Sequence, residues 1–383
     1  MADEGHSHSR QGNGGGDELA VVAYASHEVR LSGRQWLAAG ALILGALALL
    51  PVLWKRAEPF RPGEDYRIPY ALTNDYWFFH RYSRTAAAQG KTLVLGDSVI
   101  WGQYVNKDQT LPHCLERVSG RAEFANMGAD GMHPVALDGL VRYYARGISD
   151  SKVLLHCNPL WMSSERHDLQ IEKEFRFNHP RLVPQFFPAI PCYRESFSGR
   201  LAIVVERRAP FLSWANHLRV AYFDQMDIPA WTLEHPYADP IAAVAAGLPS
   251  PAENHAGEPA SWRERGIREQ DLPWVDLETS FQWRSFRRLV GTLRARGNRV
   301  FVLVGPFNEH MLEEPSLQRY HELKEGIART LDDLEVPHYV PDALPSEYCA
   351  DASHPLAEGY ELLAKQLAEC DSFVRFLGED SGR

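Results

Sequence analysis

From residue 36 the chain reads WLAAGALILGALALLPVLW, nineteen positions to Trp54 without a charge. At helical rise this run spans about 28 Å, close to the hydrocarbon thickness of a bilayer. A tryptophan stands at each end, where indoles anchor at the lipid–water boundary. The pattern predicts one transmembrane helix over 36–54. A cleaved signal peptide fits less well, because the apolar run is long, a polar segment precedes it and no small-x-small cleavage site follows. Residues 1–34, with GHSHSRQGNGGGDE near their start, are too polar to bury a core and read as a disordered tail. Residues 55–90 read as a juxtamembrane linker that includes the aromatic stretch NDYWFFHRYSR.

Past residue 90 the pattern changes. TLVLG (92–96), AEFANMG (122–128), KVLLHCN (152–158) and RVFVLVG (299–305) are short apolar runs closed by glycine or a polar residue. Such runs suit strands buried on both faces of a parallel sheet. GMHPVALDGLVRYYARGI supplies one crossover helix, while FQWRSFRRLVGTLRARG and PSLQRYHELKEGIARTLDDL flank the fourth strand. VPHYV (336–340) predicts a fifth strand, and PLAEGYELLAKQLAECDSFVRFL a closing helix. The alternation implies an α/β fold over 91–377, a three-layer α/β/α sandwich around a parallel sheet. Residues 163–280 break the rhythm with Pro, Trp, Phe and Arg. They predict a part-helical insertion at the end of the sheet where the strands finish.

Charge and cysteine content prune the alternatives. A net charge of -10 argues against the basic face that nucleic acid requires, so no nucleic-acid partner is expected. Five cysteines without metal-ligand spacing predict neither a zinc site nor a disulfide scaffold. Arg30 and Arg34 before the apolar run nearly balance Lys55, Arg56 and Arg61 after it. The positive-inside rule leans slightly towards a cytoplasmic carboxyl domain.

The first strand stops at Gly96-Asp97-Ser98. That tripeptide is ordinary turn chemistry with a helix cap. It also sets a serine at the carboxyl end of a strand, where open α/β sheets present ligands. A serine hydroxyl needs a base, and the base needs a group that fixes its tautomer. CADASHPLAEGYELLA carries Asp351 and His354 three residues apart, so one turn can supply both. Read as structure alone, Asp351 and Ser353 are caps and His354 a solvated loop residue. Donors for an oxyanion are available at the Ser98 N–H, at Gly128 in NMGADG, where the missing Cβ allows close approach, and at the Asn158 amide.

These blocks run in order: Gly96-Asp97-Ser98 with Gly102, then Gly128, then Asn158, then Asp351-Ala352-Ser353-His354-Pro355 continued by Gly359-Tyr360. In that order the chain resembles the SGNH/GDSL hydrolase superfamily, over roughly 92–160 and 299–370. The resemblance implies Ser98 as nucleophile, His354 as base and Asp351 as its partner. It implies an oxyanion hole from Ser98, Gly128 and Asn158, and chemistry that requires no metal or organic cofactor. One block departs from the family pattern. His156-Cys157-Asn158-Pro159 stands where the family has Gly-x-Asn-Asp, and proline there removes an N–H and biases Asn158 towards extended backbone. His156 itself reads as a packed strand-end histidine or as a second polar contact.

An anchor followed by such a domain is similar in layout to envelope proteins that work beside membrane-bound O-acyltransferases. This implies an acyl-ester or glycan substrate bearing O-acyl (acetyl) groups, a multi-spanning O-acyltransferase as partner, and a domain outside the cytoplasm. A tethered lipase or esterase and a non-catalytic partner are the competing classes. In the insertion, Trp214, Trp231, Phe186, Phe187, Phe211 and Tyr222 interleave with Arg200, Arg207, Arg208 and Arg219. Their two readings are a cleft that stacks sugar rings and the packed interior of a lid.

Overall fold

The computed structural model describes residues 31–121, 123–245, 247–249 and 259–378. The expected polar tail, up to residue 30, lies outside the described residues. The chain divides into two units, residues 1–49 and 50–383. Helix α1 (Gly33–Ala57) carries the apolar run and is long and apolar enough to cross a membrane. Its Leu37, Leu42, Ile43 and Leu44 are exposed, unlike the side chains of a helix in a soluble core.

In the second unit the elements alternate as the pattern requires. Helix α2 (Tyr76–Ala88) leads to strand β1 (Thr92–Gly96), the four-residue helix α3 (Ser98–Trp101) and α4 (Leu111–Ser119). Strand β2 (Phe124–Gly128), α5 (Pro134–Tyr143) and β3 (Lys152–Cys157) follow. The insertion contributes α6 (Phe197–Glu206), α7 (Pro210–Tyr222), α8 (Ile228–Glu234) and α9 (Pro240–Ala245). Then come α10 (Phe281–Ala295), β4 (Arg299–Val304), α11 (Glu314–Asp333), β5 (His338–Tyr339), α12 (Ala357–Glu369) and α13 (Asp371–Gly378).

All five strands are parallel, in the order β2-β1-β3-β4-β5. Alternate strand residues point to opposite faces. Leu93, Leu95, Val153, Leu155, Val300 and Val302 pack with side chains of α2, α5, α10 and α11. Val94, Leu154, Phe301 and Leu303 pack with α4, α12 and α13 on the other face. Helices on both faces are why the strands read as unbroken apolar runs instead of alternating ones. The strand order reverses between β1 and β3, and ligands of open sheets bind outside the carboxyl ends of strands at such a switch point.

The structure corrects the linker expected over 55–90. Asp75 caps α2 by accepting the Phe78 N–H at 2.9 Å, and Tyr76, Trp77, Phe78, Phe79 and Tyr82 are buried in the main core. Arg67, fully buried, donates to the carbonyls of Trp101, Gly102 and Val105 and lies 4.0 Å from the Trp101 ring centre. Aromatic residues on consecutive positions hid the helical period there. The fifth strand is also shorter than expected, with two residues in place of five.

Candidate active site

Strand β1 ends where Asp97 takes the cap position of α3 and accepts the Val99 N–H at 3.0 Å. Ser98 is therefore the first residue of a helix that leaves the sheet at the switch point. Its Oγ lies 2.8 Å from His354 Nε2. On the far side of the ring, His354 Nδ1 lies 2.8 and 2.9 Å from the two carboxylate oxygens of Asp351. Asp351 Oδ1 also accepts the N–H groups of Ser353 and His354, each at 3.0 Å, so one turn holds imidazole and carboxylate in fixed relation. Ser98 and His354 are 256 positions apart in sequence and meet at one sheet edge.

The electrostatics follow from these contacts. Burial opposes charge on His354, but the Asp351 carboxylate, with Asp97 and Asp130 further off, outweighs it and holds the imidazole above its ordinary range. Burial likewise opposes charge on Asp351, and the His354 ring with the two backbone N–H groups pulls its carboxyl down to about 2. The chain matches no family model and no curated protein.

Beneath the serine, Asp97 does more than cap a helix. Its Oδ2 accepts from Asn158 Nδ2 and from Trp161 Nε1, both at 2.8 Å, and His156 Nδ1 lies 3.3 Å from its Oδ1. Burial raises the carboxyl, but the His156 ring and these donors hold it well below the usual carboxylate range. His156 is buried and its Nε2 also faces the Gly305 carbonyl at 3.1 Å. It thus joins the floor of the site through Asp97, without a hydrogen bond to Ser98.

Asn158 stands at the end of β3 with Oδ1 accepting the Leu160 N–H at 3.0 Å. Its backbone is extended, as the following proline requires. One Nδ2 hydrogen goes to Asp97, and no acceptor among the described residues takes the second. Gly128 differs from expectation. Its N–H donates to Asn126 Oδ1 at 3.0 Å, and Asn126 Nδ2 donates to the Ile100 carbonyl at 2.9 Å. A Cβ on Gly128 would lie 2.2 Å from the Trp101 nitrogen. Close approach is indeed why glycine stands there, but it is approach to α3, and the N–H is already engaged. Three residues on, Gly131 turns the loop at φ +64 where a Cβ would lie 1.9 Å from Asn178 Nδ2.

Several residues around the site escaped the sequence reading. Asn308, after β4, donates its backbone N–H to the Ala352 carbonyl at 2.8 Å and its Nδ2 to the Asp351 carbonyl at 3.2 Å. It braces the turn that carries Asp351 and His354, and its place past a strand end was the available signal. Tyr104 sets its ring edge-on to His354 at 5.5 Å, and Arg265 of the insertion sits 4.5 Å above the Tyr104 ring. No local pattern marks either. Among the described residues one group could hold a metal, Asp65, His113 and Glu116, and it shares no residue with the Ser98 site.

Of the two readings of the insertion's aromatics, three residues take the packed one, while Phe186 and Phe187 stay exposed. Trp214, Trp231 and Tyr222 are buried against one another's neighbours, Trp54 among them. Arg200 caps the Gln185 and Tyr193 carbonyls, Arg207 the Arg181 and Val183 carbonyls, and Arg219 binds Asn216. Arg200 and Arg207 thus spend their donors on the insertion's own backbone.

Proposed function

We propose that the chain is a membrane-anchored, serine-dependent acyl-ester enzyme similar to the SGNH hydrolases. The observation that carries this reading is the line from Ser98 Oγ to His354 Nε2 at 2.8 Å and from His354 Nδ1 to Asp351 at 2.8 Å. In the proposed reaction Ser98 Oγ attacks an ester carbonyl and its proton passes to His354 Nε2. The tetrahedral oxyanion is held by the Ser98 N–H and by the second Asn158 Nδ2 hydrogen. Collapse expels the alkoxide, which takes the proton from His354 and leaves an acyl-serine. Asp351 keeps the ring in the tautomer that receives the serine proton and stabilises the imidazolium. The acyl group then passes to water or to an acceptor hydroxyl by the same steps in reverse.

The substrate half of the proposal is an O-acyl group on an envelope glycan, with a multi-spanning O-acyltransferase as partner and the domain outside the cytoplasm. It is supported by layout, an amino-terminal anchor before an α/β domain with this triad, which is an analogy of architecture. The test offers the full chain p-nitrophenyl acetate with and without a panel of oligosaccharides. Release of p-nitrophenol that vanishes in Ser98→Ala supports the serine step, and O-acylated sugar by mass spectrometry supports transfer. Efficient cleavage of long-chain esters with no acylated sugar replaces the glycan reading with a tethered lipase or esterase.

A further inference from the structure

The insertion places large apolar side chains on its outside. Phe187 is 91 % exposed, Phe197 72 %, Leu233 82 % and Ile241 78 %. None of the ten residues of α6 is buried, and Phe197, Leu201 and Val205 recur every fourth position as one exposed stripe. The Phe186 ring lies 5.6 Å from that of Phe197, so the segment before α6 extends the same face. So many exposed large apolar side chains on one insertion signal an interaction surface.

The end of the anchor helix says what covers it. Trp54, the last residue of the uncharged run, packs edge-on against Trp214 at 5.9 Å and Tyr222 at 6.2 Å, both on α7. Phe223, Trp231 of α8 and Val244 of α9 belong to the same cluster. If 36–54 spans a bilayer, Trp54 marks its boundary, and the helices packed around Trp54 lie at the depth of the headgroups and first acyl carbons. Lys55 and Arg56 in the last turn of α1 and the exposed Arg208 after α6 add the positive charge that anionic headgroups attract.

We infer that the 186–187 segment and helices α6 to α9 form a collar that enters the lipid interface beside the anchor, with the bilayer as its occupant. The inference rests on reading 36–54 as a membrane span.

The experiment uses the full chain in phosphatidylethanolamine–phosphatidylglycerol vesicles. Four of the five cysteines are buried and the fifth is removed as Cys370→Ser. Single cysteines then replace Phe187, Leu201 and Leu233, and each carries an environment-sensitive nitrobenzoxadiazole label. Leu44→Cys on the anchor is the lipid reference and Val118→Cys, exposed on α4, the aqueous one. The collar predicts blue-shifted emission at all three test positions, quenching by nitroxide-bearing lipid and insensitivity to iodide, as at position 44. Any test position that behaves like 118 while 44 is quenched by lipid overturns the collar and leaves the anchor standing. Protection from both quenchers overturns it in favour of a covering protein or a second copy. A label at 44 that lipid does not quench removes the anchor and the collar together, without touching the serine site.

Discussion

Ser98 is held by its neighbour as much as by its strand. Asp97 caps the helix that begins at the serine, and its two oxygens collect Val99 N–H, Asn158 Nδ2 and Trp161 Nε1. In the proposed reaction the residue that acts on the proton is His354, and its environment makes a directional prediction. The imidazole must be neutral to accept the serine proton, and Asp351 holds it above the ordinary 6.5. The rise of kcat/KM with pH should therefore be half complete above pH 6.5, with no second step from Asp351, whose carboxyl ionises near 2. In Asp351→Asn the half-point should fall and the rate with it. A half-point at or below 6.5 in the native protein would mean that the carboxylate does not support the charged ring. Removing the proposed oxyanion donor is the second test for these residues. Asn158→Ala should lower kcat by about 10²–10³, about 2.7–4 kcal/mol of barrier. An unchanged kcat would assign that hydrogen bond to another group. Ser98, Asp351, His354 and Asn158 were legible because strand ends and one short turn carry them. Asp97's four partners, Asn308 and Arg265 were not, because contacts reaching across the fold leave no periodicity. Gly128 was legible as a site of close approach, but only the structure shows which backbone approaches.

At the level of elements, the segment after α1 is the part the pattern misjudged. Glu58, one residue past α1, pairs with Arg81 of α2 and lies 2.8 Å from His217 Nε2 of α7. His217 Nδ1 lies 2.6 Å from Asp75, which also caps α2, and the Tyr222 hydroxyl donates to Glu58 at 2.5 Å. A buried cluster thus joins the segment after α1, a core helix and the insertion, where the sequence suggested a linker and an independent insertion. Single polar residues inside aromatic stretches gave no sign of one another. Burial disfavours the His217 charge, but two carboxylates raise it to about 9. A pKa raised from 6.5 in the unfolded chain stabilises the fold fully below pH 6.5, and this contribution is lost as pH rises through about 9. The full contribution is on the order of 3 kcal/mol. Denaturant midpoints of the reconstituted protein should decline between pH 6.5 and 9, and His217→Gln should flatten that decline while lowering stability at pH 6. A native midpoint that is level across this window would show that the cluster carries no net proton.

For the whole molecule, the sheet was readable from its apolar runs, and the strand order 2-1-3-4-5 then fixes where a ligand can sit. What the sequence concealed was the allocation of the insertion's aromatics, because a Trp that stacks on sugar and a Trp that packs against another helix read alike. The central claim is that one serine of this chain is a nucleophile activated by one histidine. A fluorophosphonate probe added to the purified full chain tests it most directly, with the adduct located by peptide mass. A single adduct on Ser98 is expected, absent in Ser98→Ala, lost in His354→Ala and slowed in Asp351→Asn. A native chain that takes up no probe, or a Ser98→Ala chain that is labelled as fully as the native one, would contradict it.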